Sequence, residues 1–251
     1  MIEVTIGVLL ILFAVAMFAG FVDAISGGGG LLTVPALLMA GVPPLIALGT
    51  NKFQGVFGTA SAAMTFAAKG HLDLRALWPV ALICFLASVA GALIASYIPQ
   101  DALAFALPAI LILVAIYFAC APNLSKGPRK PVISAALMTG LALPMIGLYD
   151  GIFGPGAGSF YMLVLLGLGG LEVVQATART KLFNLSSNLG GLIGFAIIGA
   201  VAWKVGLTMA AGQIIGSSLG ARMAISKGAS LIRPLLVTIC IATALKLLFA
   251  G

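Results

Sequence analysis

Charge is what this chain has least of. Among 251 residues only six are acidic, one is histidine and three are cysteine, and charged residues of every kind make up 8%. Soluble domains carry roughly a quarter charged residues. This sequence cannot give a folded chain of its length a water-facing exterior, and it is expected to lie in a membrane. The one histidine, His71, falls in a polar loop beside Asp73 and reads as a solvated residue. Without a His/Cys cluster there is no ligand set for a metal, so no metal or other cofactor is expected. Cys84, Cys120 and Cys240 stand alone in apolar runs and read as small packing residues. No nucleophile sits with a base, which argues against an enzyme and leaves the catalytic set empty. The short alternating segments of a β-barrel are missing too.

What remains is 62% hydrophobic and carries 32 glycines, a composition suited to close helix packing and interrupted helices in lipid. The formal charge of +7 comes from bases placed singly at segment ends, apart from Lys126, Arg129 and Lys130. That distribution orients membrane segments and does not point to nucleic acid. Met1-Ile2-Glu3 supplies no basic stretch before the first apolar run, which is therefore expected to stay in the mature chain.

Helical crossings are expected at 2–20, 45–69, 76–97 and 102–121, and again at 132–148, 173–201, 206–225 and 231–249. Two apolar runs, 31–40 and 160–168, are too short to cross and read as half-helices or re-entrant elements. Thr33 and Ser159 are expected to cap them, with Pro35 in the first turn. Each short run follows an acid and a glycine-rich interruption: Asp23 with Gly27, Gly28, Gly29 and Gly30, then Asp150 with Gly154 and Gly156. The breaks are expected to span 23–30 and 150–158.

These are two copies of one plan. Asp150 follows Asp23 by 127 residues, as Gly147 follows Gly20, while Lys181 follows Lys52 by 129, as Gly220 follows Gly91. A two-residue insertion between break and lysine reconciles the offsets. The chain thus divides into a first membrane repeat at 1–121, a basic linker at 122–131 and a second membrane repeat at 132–251. Basic residues cluster after the second long segment of the first half (Lys69, Arg75) but after the third of the second half (Arg222, Lys227, Arg233). If basic loops face the cytoplasm, the halves are inverted.

A half-helix that starts after a glycine break turns free N–H groups and a partial positive charge into the gap, an anion site that needs no side chain. Tight helix crossing alone would also use glycine, but two equivalent breaks favour a site. Asp23 and Asp150 have two readings, as acceptors for N–H groups freed by the break or as proton-coupling carboxylates. Lys52 and Lys181 can neutralise an aspartate, bind the anion, or snorkel to the interface. Asn51, Gln54, Asn184, Ser186, Ser187 and Asn188 can line a polar path or hold helices together; Asn184 and Asn188 share a helical face.

With those residues in view, the stretch from Gly20 through Asp23 to Gly30, with Pro35 and Thr50-Asn51-Lys52, resembles the first half of the sulfite exporter TauE/SafE family of permeases. The stretch from Gly147 through Asp150 to Gly156, with Lys181, Asn184 and Asn188, resembles its second half. The resemblance covers nearly the whole chain. It implies a multi-pass permease of a bacterial or archaeal inner membrane, with sulfite, sulfonates or other sulfur-containing organic anions as substrates. It also implies substrate-binding roles for Gly27–Gly30, Asn51, Lys52, Gly154, Gly156, Lys181, Asn184 and Asn188. The expectation is therefore an all-α polytopic membrane protein, a secondary active transporter of a small anion working by alternating access, with lipid and protons as further partners. A passive anion channel and a non-transporting assembly protein or enzyme are the alternatives.

Overall fold

In the computed structural model, residues 5–120 and 130–227 are described. Most of the expected linker and the expected crossing at 231–249, with Arg233 and Cys240, lie outside them. The described residues form nine helices and no strand: α1 Ile6–Ser26, α2 Gly30–Met39, α3 Pro44–Ala68, α4 Leu74–Ser96, α5 Gln100–Cys120, α6 Ala135–Ile152, α7 Ala157–Leu168, α8 Val173–Ile197 and α9 Trp203–Lys227. Helix starts follow local chemistry. The Thr5 hydroxyl accepts from Val8 N at 3.4 Å, Asp73 Oδ1 accepts from Arg75 N at 3.0 Å and Ala76 N at 3.1 Å, and Pro44 opens α3, where its missing N–H is harmless.

The first and second helices of each half are separated as expected, but the interruption is shorter. Asp23 and Asp150 lie inside α1 and α6, in their last turns, and the chain leaves helix only at Gly27 and Phe153. Gly27, Gly28, Gly154 and Gly156 all have positive φ. Gly27 needs both properties of glycine. Its φ is 80°, and a Cβ there would overlap the backbone of Gly158 and Ser159. Because glycine ends the interruption so early, α2 begins at Gly30. Thr33 and Ser159 are therefore interior residues rather than caps, Gly29 and Gly156 hold the cap positions, and Pro35 stands in the second turn.

Close contacts fix the helix directions. Gly212, Gly216 and Gly220 of α9 meet Phe13, Met17 and Phe21 of α1 in matching steps of four, so these helices run the same way with backbones in contact. Thr50 Oγ1 accepts from Ala202 N at 2.9 Å, and the Ser61 and Ser218 hydroxyls are 2.6 Å apart, so α3 also runs with α9. α6 runs with α4, Gly147 meeting Cys84 and Gly151 meeting Ser88 and Gly91. α3 and α8 cross at the centre in opposite directions, with Gly49 against Phe195, Lys52 against Gly191 and Gly55 against Asn188.

These contacts interchange between the halves. Gly91 packs on Leu148 and Gly151; Gly220, 129 residues on, packs on Phe21 and Ala24, which lie 127 before that pair. Ser88 donates to Ser187 O at 2.6 Å, while Gly58 packs on Ser217, the positions 129 before Ser187 and 129 after Ser88. α7, at Ala157–Leu168, is two residues longer than α2, at Gly30–Met39, and contains a π turn at Val164–Leu168.

Apolar clusters lie between the helices, and large apolar side chains also face outward, including Leu10, Trp78, Leu86 and Phe105. In water such an exterior would aggregate; against acyl chains it is solvated. Ile6–Ser26, Leu74–Ser96 and Ala135–Ile152 are long and apolar enough to cross a membrane. α3, α8 and α9 are longer, at 25 residues each, but carry the polar residues of the interior.

Candidate functional site

Both breaks meet at the centre, against the crossing of α3 and α8. Lys52 and Lys181, one on each of these helices, are fully buried. The interfacial, snorkelling reading of the lysines is thereby excluded. Their partners are exchanged between the halves. Lys52 Nζ donates to Asp150 Oδ1, and Lys181 Nζ donates to the main-chain oxygen of Asp23 and lies 3.2 Å from Asp23 Oδ2. Each lysine of one half thus neutralises the aspartate of the other, as charges at this depth require.

The aspartates are not alike in their remaining bonds. Asp23 Oδ1 accepts from Gly29 N at 3.0 Å, the structural role expected for an acid beside a break. Asp150 Oδ2 has no hydrogen-bond partner among the described residues. The breaks are tied to each other by Ser159, whose hydroxyl donates to Ser26 O at 3.2 Å. Tyr149 OH donates to Pro155 O at 2.7 Å and fixes the second break from its own half. Thr33 Oγ1 donates to Asn51 Oδ1 at 2.6 Å, and Gln54 Nε2 donates to the same oxygen at 2.9 Å. Asn188 Nδ2 donates to Asn184 O at 2.7 Å.

Between the breaks lies a cavity of about 30 Å³. One water needs roughly 10–15 Å³ on the same measure, so the space suits a pair of waters or one small ion. Its wall is made by Asp23, Asp150, Gly28, Gly29, Gly30, Gly154, Gly156, Asn51, Asn184 and Asn188, all foreseen, together with Gln54, Gly55, Thr59, Ala157, Gly158 and Gln213. Gly27, Lys52 and Lys181 are not in the wall. Gly27 is occupied in packing on Gly158, and the lysines stand behind their aspartates. The Ser187 hydroxyl donates to Asn184 O at 3.3 Å and the Ser186 hydroxyl to Leu182 O at 2.9 Å, both within α8, and the bond between helices there is the one Ser88 makes to Ser187 O.

Gln213 is the main omission from the sequence reading. It is 3% exposed and lines the cavity, and its one hydrogen bond among the described residues is the weak one its Oε1 accepts from Ser217 at 3.5 Å. Its amide N–H groups make no hydrogen bond to any described residue. The available signal was an amide four residues before a serine in an apolar helix, on one face. The repeat adds a second signal: Gln54 and Gln213 correspond to Phe183 and Cys84, which lie with Tyr161 in an apolar cluster. At these two positions the centre is polar on α3 and α9 and apolar on α4 and α8, while Asn184 and Asn188 keep another part of α8 polar toward the cavity.

Among the described residues no group of three or more metal-ligating side chains occurs. The wall offers hydrogen-bond donors from amides and from backbone at the starts of α2 and α7, around a charge-balanced core. A lipid-facing helical bundle with a buried polar centre of this kind is a membrane transporter by class. The chain belongs to the sulfite exporter TauE/SafE family, whose profile matches residues 12–247. It is 48% identical over 240 residues to "Probable membrane transporter protein ORF9" of Sinorhizobium sp, covering 96% of this chain and 92% of that protein. It is 41% identical over 247 residues to a "Probable membrane transporter protein" of Haemophilus influenzae, covering 98% and 97%. "Probable membrane transporter protein YfcA" of Escherichia coli K12 is 41% identical over 239 residues, covering 95% and 89%. No solved structure matches.

Proposed function

We propose that this protein is a secondary active transporter of a small anion, a sulfur oxyanion such as sulfite or a short sulfonate, in a bacterial cytoplasmic membrane. The observation that carries the reading is the small polar cavity between two glycine breaks, lined by the amides of Gln213 and Asn184 and backed by crossed Lys–Asp pairs. The start of each post-break helix supplies backbone donors and partial positive charge. Gln213 and Asn184 supply amide donors.

The charge balance suggests how coupling works. With both pairs intact the centre is neutral, and an anion alone would be left uncompensated at depth. A proton on Asp150 or Asp23 releases the charge of Lys52 or Lys181, and the anion then restores neutrality. Anion and proton therefore move together. Helix directions support an inverted relation of the halves: α1, α3 and α9 run one way, α4, α6 and α8 the other, so each of these six is opposed to its repeat equivalent. Rocking of the halves about the shared centre then exposes the cavity to alternate sides.

Flux into proteoliposomes of the purified protein tests this. Saturable uptake of sulfite, thiosulfate or a sulfonate that accelerates under an inward proton gradient is the expected result. Conductive flux indifferent to the gradient would establish a channel instead, and no flux of any tested anion would reject transport of this class.

A further inference from the structure

At one end of the bundle, away from the central cavity, α3 and α9 bound an open groove of about 750 Å³. Lys69 and Arg222 stand on opposite walls, Met64, Ala68 and Ile225 make its apolar surface, and Thr65 and Ser226 add hydroxyls. Both bases are exposed, and their side chains make no hydrogen bond or ion pair with any described residue. Both hydroxyls already donate within the bundle, Thr65 to Ser61 O at 2.8 Å and Ser226 to Met223 O at 3.1 Å, so each has lone pairs but no proton to offer. No acid among the described residues lines the groove.

We infer that this groove holds an anionic phospholipid, its phosphate between Lys69 and Arg222 and an acyl chain along Met64 and Ile225. Two unpaired cations over an apolar floor at a helix end match the two parts of such a lipid. Long basic side chains at the membrane boundary reach the headgroup layer while their stems stay in hydrocarbon. The repeat provides an internal comparison. The equivalent positions at the opposite end are Leu93 and Ile198 in place of the bases, and Ile193, Ile197 and Tyr97 in place of Met64, Ala68 and Ser226. The basic groove therefore belongs to one face of the membrane and is not a by-product of the fold. It also brings together Lys69 and Arg222, which lie far apart in sequence.

The test compares wild type, the double variant Lys69→Gln/Arg222→Gln, and Lys204→Gln, which removes an exposed base elsewhere. Each is placed in nanodiscs of phosphatidylcholine with graded phosphatidylglycerol, and retained lipid is counted by native mass spectrometry beside a thermal-unfolding scan. Wild type and Lys204→Gln should retain phosphatidylglycerol and gain stability from it. The double variant should bind it more weakly by roughly fivefold per base removed. Inorganic phosphate added to phosphatidylcholine discs should not substitute. Equal retention by all three proteins, or stabilisation by free phosphate alone, would overturn the assignment.

Discussion

Lys52→Met should destabilise the protein severely, and Asp150→Asn in the same chain should restore it. The two side chains are 1% and 2% exposed, so removing one leaves the other charged and unpaired at depth. Breaking a buried pair in this way costs about 3–5 kcal/mol, whereas removing both partners is often neutral. A change of 1 kcal/mol moves the midpoint by roughly 2–4 °C in a chain of this size. Lys52→Met is thus expected to lower the unfolding temperature in detergent by about 6–20 °C, and the double variant to recover most of it. The crossing makes the prediction discriminating. Lys52→Met combined with Asp23→Asn, the acid of its own half, leaves Lys181 and Asp150 both unpaired, so the losses should add. Lys181→Met should be rescued by Asp23→Asn and not by Asp150→Asn. Fluorescence-monitored unfolding of the four singles and four doubles measures each coupling. Rescue within a half, with none across halves, would refute the exchanged pairing.

Three further outcomes follow from the centre. Gln213→Ala removes donors that face the cavity; hydrogen bonds to an ion contribute about 1.5–3 kcal/mol, so the KM for the anion should rise at least tenfold in liposome uptake. An unchanged KM would remove Gln213 from the site. Asp150→Asn, tested beside Asp23→Asn, should abolish acceleration by a proton gradient while leaving substrate-driven exchange; normal coupling in both variants would make the aspartates structural. Gly27→Ala forces a side chain into positive φ, which costs about 1–3 kcal/mol before its overlap with Gly158 is counted. It should therefore reduce both unfolding temperature and flux, and wild-type flux would show that the breaks need not stay in contact.

The expectation of a repeat rests on glycine, aspartate and lysine recurring at fixed offsets, and the same offsets relate contacts such as Gly91 on Leu148 and Gly220 on Phe21. The breaks were legible as composition but not as boundaries. Serine and threonine near an interruption suggest caps, yet Gly156 takes up the left-handed conformation and starts α7 before Ser159 can cap it. The exchanged ion pairs were beyond reach. A sequence shows two lysines and two aspartates in equivalent places, and only the antiparallel crossing of α3 and α8 decides that Lys52 meets Asp150 and not Asp23. Gln213 was missed because its repeat equivalent is Cys84, and a search for matching polar residues passes over a position where the two copies differ.

The exchange of partners has a consequence for how the protein is made. While the first half enters the bilayer during synthesis, Asp23 and Lys52 are present and the groups that neutralise them have not been translated. Each buried charge without its partner carries an insertion penalty of about 2.5–3.5 kcal/mol. Until Asp150 and Lys181 arrive, the early half is expected to hold Asp23 and Lys52 in water, at the membrane surface or against each other. A stalled ribosome would then present a first half with a loosely seated third helix, a target for quality-control proteases. The two halves expressed from separate messages should each be short-lived and become durable only together.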